Sequence, residues 1–323
     1  MSSTESGAEN TAEKAEHITQ TLSSGVMVNA DVYVPESMQK SALAEMRGQG
    51  QLIDYEELKS LFCSGKTITE EGEEPWEMVT PGAMEAVGKY VSTQDGDYLQ
   101  RICGNTFYYM TERDIQDIED LTIYETGKNL DFASIEETDK TIRDIAEKLN
   151  IAVGKGVCYT IDTSSQPHYV FQYEILVNGM PLAMFDGGSY SGDAYVPGTY
   201  MTAVVDADGI RHYDVSYVLE ELESGESKKV LTLDEALQAV DDKYNSVIME
   251  GEYFIDDIQM AYTPVRTEET GIVRLIPVWY FQTTHQILVP NRSGTGEVML
   301  PQSGYILINA LDGTELLHSN GDI

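Results

Sequence analysis

Between Leu275 and Phe281 the sequence reads Leu, Ile, Pro, Val, Trp, Tyr, Phe, without one charged or amide side chain. At the period of two that a strand imposes, Leu275, Trp279 and Phe281 point one way and Ile276, Val278 and Tyr280 the other. A strand with one face in water alternates apolar with polar residues, so this one is covered on both faces. One cover is expected from a helix that begins after Thr232, with Trp279 as the anchor beneath it. The other is expected from elsewhere in the chain or from a partner.

That helix is announced by its own start. Thr232 and Glu235 have the spacing of a capping box, in which hydroxyl and carboxylate each accept from the other's backbone N–H. Leu233, Ala236, Leu237, Val240 and Tyr244 supply the apolar stripe. Strand-like runs follow at 253–262, 272–283 and 305–311, the last closing in Asp312 and Gly313, a pair suited to a tight turn. The same order occurs earlier. Ser134 and Glu137 form a second capping box, Ile142, Ile145 and Leu149 recur at helical spacing, and runs at 157–162, 169–177 and 200–206 precede Asp208 and Gly209. Ahead of both, every even position from Val26 to Val34 is apolar, the mark of a strand with one buried face that Pro35 ends. Asp54 starts a short helix carrying Leu58, Leu61 and Phe62. Tyr98 to Met110 and Leu121 to Glu125 read as strands, and Ser64 to Gly82, acidic and holding Pro75 and Pro81, reads as loop. The expected fold class is α+β. Two tandem units of a helix packed on an antiparallel sheet span 131–225 and 226–323, preceded by a mixed α/β region over 25–130 and a disordered tether over 1–24.

A capped helix followed by Pro277 to Phe281 and then Ile306 to Gly313 resembles the PepSY-like repeat. It is similar to the extracytoplasmic parts of YycI/YycH-type regulators and to uncharacterised clostridial (Firmicutes) lipoproteins. The resemblance implies an extracytoplasmic site and no catalytic residue, and it carries the alternative role of regulating a membrane sensor kinase or a protease. Residues 1–24 hold Ser, Thr, Glu and Ala with almost no large apolar side chain, the composition of a tether behind a lipidated cysteine. A lipoprotein on the outer face of the cell membrane, its signal peptide removed, is the expected localisation.

Lys and Arg total 20 against 55 Asp and Glu, a net charge of −35. Nucleic-acid binding, which rests on cations meeting phosphates, is excluded on that ground, and self-repulsion at this charge points to a monomer. No apolar run is long enough to span a bilayer. Cys63, Cys103 and Cys158 match no zinc spacing and leave one thiol over, with a Cys63–Cys103 bridge left open. The segment Gly188 to Gly192 has the outline of a nucleophile elbow, but Tyr190 stands where that motif needs serine, so the Gly/Ser cluster reads as loop. The scattered histidines form no metal motif, and whether the carboxylates hold calcium stays open. The expected function is a non-enzymatic module without cofactor or metal, binding a peptide, protein or cell-wall component at the cell surface by sheet recognition. The candidate ligand-binding residues are Trp279, Tyr280, Tyr173 and His285.

Overall fold

The computed structural model describes residues 16–76, 82–112, 125–162, 166–185, 188–191, 194–246, 251–290 and 297–319. In chain order, β1 (Glu16–Thr21), β2 (Met27–Tyr33) and β3 (Ala42–Gly50) precede helix α1 (Tyr55–Cys63). The strands β4 (Ile68–Pro75), β5 (Val87–Thr93), β6 (Tyr98–Ile102), β7 (Thr106–Met110) and β8 (Glu125–Thr126) lead to α2 (Ile135–Lys148). Then come β9 (Val153–Ile161), β10 (His168–Val177), β11 (Met180–Pro181), β12 (Gly188–Ser191) and β13 (Ala194–Pro197). They are followed by β14 (Tyr200–Asp206), β15 (Gly209–Ser216), β16 (Leu219–Lys229) and α3 (Leu233–Tyr244). The chain closes with β17 (Tyr253–Arg266), β18 (Ile272–Pro290), β19 (Glu297–Asn309) and β20 (Glu315–Ser319).

These strands form two large sheets. One has eight strands, with β1, β2, β17, β18, β19 and β20 side by side and β3 pairing both β18 and β16. The other has ten, in the order β4, β5, β6, β7, β15, β14, β10, β9, β8, with β11 on β10. Neighbours are antiparallel except β2 and β17, which run parallel.

The α+β expectation of two tandem helix-on-sheet units is overturned. The structure is 56% strand and 15% helix, gathered in two large sheets. The capped helices do form, with both capping boxes closed at Ser134/Glu137 and Thr232/Glu235. The reason the fold differs is edge pairing. A free strand edge exposes unpaired N–H and C=O groups, and here N-terminal strands take up those edges: β7 adds to β15, β2 to β17 and β3 to β18. Chain from 16–110 thus belongs to both sheets. Three further expectations change with it. Glu16–Thr21 lies inside the expected tether yet pairs along its length with β2, while residues 1–15 lie outside the described residues. The expected loop over 64–82 contains β4, the outer strand of the larger sheet. The expected strand at 121–125 lies outside the described residues except for Glu125. Gly188–Ser191 of the expected Gly/Ser loop is a strand, β12, paired with β13, and Gly192 lies outside the described residues.

Each sheet has one face under helix. Phe62 of α1 stacks on Tyr109 with ring centroids 4.7 Å apart, and lies 5.4 Å from Tyr213. The Tyr213 hydroxyl donates to the Ile142 carbonyl of α2 at 3.2 Å. So α1 and α2 share one face of the ten-stranded sheet, and the residues alternating with Tyr109 and Tyr213 face away from them. Helix α3 covers the eight-stranded sheet, where Trp279, Phe281, Ile306 and Ile308 join its apolar stripe in the core. The opposite side of the same strand is covered by the chain between β10 and β14. Ala183, Phe185 and Val196 pack on Ile276, Val278, Tyr280 and Leu307. The Ala183 N–H donates to the Tyr262 carbonyl at 2.8 Å, pinning this segment to β17. The strand apolar on both faces is therefore covered twice, by α3 and by Ala183, Phe185 and Val196.

Candidate functional site

Where that covering segment ends, the helix-free faces of the two sheets leave a cleft of about 720 Å³. The ten-stranded sheet contributes Tyr159, Gln172, Tyr200, Thr202, His212 and Asp214. They stand there because Cys158, Tyr173, Met201 and Tyr213, their neighbours in sequence, turn toward the helices. The eight-stranded sheet contributes Tyr280, Gln282, Thr284 and Tyr305, with Asp256 and Asp257 from β17. Phe185 closes one end, 4.4 Å from the Tyr305 ring and 6.3 Å from Tyr280.

The cleft is aromatic, hydrogen-bonding and acidic. Asp214 accepts from the Tyr200 hydroxyl at 3.1 Å. Burial raises the Asp257 carboxyl above its ordinary value. Beside it, Glu174 of β10 accepts from the Gln259 amide of β17 at 2.6 Å and from the Lys155 N–H at 3.1 Å, a polar link between the sheets. Burial raises the Glu174 carboxyl too. Among the described residues, no Lys or Arg lines the cleft, and no group of three or more His, Cys, Asp or Glu is placed to hold a metal ion.

Of the four residues singled out from the sequence, Tyr280 lines this cleft, its hydroxyl donating to the Met184 carbonyl at 2.8 Å. The others stand elsewhere. Trp279 faces α3, buried, with its indole N–H donating to the Leu231 carbonyl at 3.0 Å. Tyr173 is buried under α2, its hydroxyl donating to Asp139 at 2.8 Å and its ring 4.9 Å from the Arg143 guanidinium. His285 stacks on Tyr253 with centroids 4.3 Å apart. The four do not form one site. Sequence reasoning passed over Gln172, Thr202 and Asp214, whose signal was there: each is the polar partner in an alternating strand, and three such strands side by side make a polar surface.

All three cysteines are free, which removes the Cys63–Cys103 bridge, and burial pushes the Cys158 thiol up to about 12, away from the nucleophilic thiolate. No described helix is long and apolar enough to cross a membrane.

No family model matches the chain, and no curated protein does. Among solved structures it is similar to an uncharacterized protein from Eubacterium rectale ATCC 33656, with a TM-score of 0.71 over 90% of each chain at 15% identity. At that identity the likeness is one of fold.

Proposed function

We propose that the protein is a non-enzymatic, extracytoplasmic binding module that holds a peptide segment in the cleft between its two sheets. One observation carries this reading. Helix-free faces of both sheets converge on a cleft of about 720 Å³ whose walls combine flat aromatic rings with side chains that pair with a backbone. Gln172, Thr202, Gln282 and Thr284 offer amide and hydroxyl groups in register with the strands. The extracytoplasmic, lipid-anchored placement is supported by the composition of residues 1–24 alone.

The test uses isotope-labelled full chain and a mixture of random-sequence decapeptides as probe. Amide shifts clustered at Gln172, Thr202, Asp214, Gln282 and Tyr305, and lost in Thr202→Trp, are the expected result. Shifts elsewhere, or binding that survives the filled cleft, would overturn the cleft as the site. Cleavage of the probe, read by mass spectrometry, would overturn the non-enzymatic assignment.

A further inference from the structure

The helix-free face of the ten-stranded sheet does not stop at the cleft. Registers across six strands place Tyr90, Gln100, Tyr108, Asp214, Thr202 and Gln172 in one row. Tyr98 lies beside that row, its ring centroid 6.2 Å from Tyr90 and 5.8 Å from Tyr108. One glycine lets a ring lie flat on the sheet: a Cβ on Gly72 would sit 2.8 Å from the Tyr90 hydroxyl oxygen and 2.9 Å from the ring carbon that bears it. Carboxylates accompany the rings: Glu70 accepts from the Tyr90 hydroxyl at 3.1 Å, and Glu74 accepts from the Gln100 amide. Lys89 and Arg101, the cations of β5 and β6, turn to the opposite face, where both lie within 6.0 Å of the Tyr55 ring of α1. On the helix-free face of β4 to β7, β15, β14 and β10, no described position carries Lys or Arg.

We propose that this face, with the cleft as its deep end, is a track for an extended, positively charged peptide. The proposal rests on the cleft reading above and names its ligand class. Flat aromatic faces attract ammonium and guanidinium groups. Carboxylates beside them form charge-assisted hydrogen bonds with the same groups. The cations of β5 and β6 that would repel such a ligand are on the other side of the sheet. Lys155 of β9 stands by Asp257 at the far side of the cleft, beyond the track, with its ammonium 5.1 Å from the Tyr33 ring. A net charge of −35 steers a cation inward. From β4 to β10 the track crosses six interstrand spacings, about 29 Å, the length of some eight to nine extended residues.

The experiment measures anisotropy of three labelled decapeptides, alternating Ser with Lys, Gly or Glu, against the full chain at two salt concentrations. The Lys peptide is expected to bind about tenfold tighter than the Gly peptide, the Glu peptide not at all, and added salt to weaken binding. Asp214→Asn, Glu74→Gln and Tyr90→Ala should each weaken the Lys peptide by about two- to fivefold. Glu136→Gln on α2 and Glu268→Gln beyond β17, which remove the same charge elsewhere, should leave it unchanged. Thermal melts of each variant confirm folding. Equal binding of Lys and Gly peptides, with shifts still in the cleft, overturns the charge class and leaves the cleft standing. No peptide binding in the cleft overturns both. Equal weakening by the two control variants reduces the effect to bulk attraction and overturns the track. Spermine binding as tightly as the Lys peptide, and lost in the same track variants, replaces the peptide with a free polyamine.

Discussion

At the residue scale, Trp279 and Tyr280 show how one peptide step divides structure from site. Their side chains leave β18 on opposite faces, so Trp279 anchors α3 while Tyr280 reaches the cleft. Both were visible in the sequence as members of a strand apolar on two sides. Which of the two lines the cleft was not, because alternation assigns faces and not what lies across from them. Trp279 is 5% exposed and its indole N–H is satisfied by Leu231. Trp279→Ala is therefore expected to cost about 3–5 kcal/mol, as other buried aromatic truncations do. Urea unfolding checks this, and a loss under about 1 kcal/mol would mean that the indole is not a core anchor.

At the element scale, helices were legible and edge strands were not. The capping boxes and the Asp54 cap fix helix starts through contacts within four residues, so local sequence is sufficient to reveal them. By contrast β4, Ile-Thr-Glu-Glu-Gly-Glu-Glu-Pro, and most of β16 are exposed and lack an alternating apolar face. They are held by backbone pairing, β4 to the next strand β5 and β16 to β3 far along the chain, which leaves little trace in hydrophobic periodicity. The loop joining β1 to β2 illustrates another long-range attachment. Asp241, in the last turn of α3, accepts from the Ser23 hydroxyl at 2.6 Å and the Ser24 N–H at 2.7 Å. The hydrogen bonds from Ser23 and then Ser24 lower its carboxyl from 3.8 to about 2. A folded-state value below the unfolded one means that the contribution is complete above pH 3.8 and is lost as the pH falls to about 2. Scanning calorimetry of wild type and Asp241→Asn should therefore show the melting temperatures converging across that window, with wild type higher above it. Parallel curves would show that the carboxylate does not hold the loop.

At the scale of the whole molecule, charge and edge pairing act together. The chain carries −35 and still brings two sheets against one another, so repulsion among carboxylates opposes the compact state. The melting temperature is expected to rise between about 10 and 150 mM monovalent salt, as the screening length falls from about 30 to 8 Å. Among the described residues no cluster is placed to hold a metal ion, so a chelator should leave that curve unmoved. A flat salt response that becomes steep with chelator would instead reveal bound cations.

What the sequence by itself determined is local: where helices start, which strands are buried on one or both faces, and that Asp-Gly pairs turn β14 into β15 and β19 into β20. These follow from hydrogen bonds and side-chain periods that act over a few residues. The tertiary structure decided which strands share a sheet. The N-terminal strands pair with one another, β1 with β2 and β4 through β7 in order, and the edges left over, on β7, β2 and β3, complete β15, β17 and β18. That choice turned the expected α+β units into two large sheets and set their helix-free faces around a cleft. Backbone N–H and C=O groups are alike in every residue, so the partner of a strand edge is settled by the fit of whole sheets and is not spelled out in the strand itself.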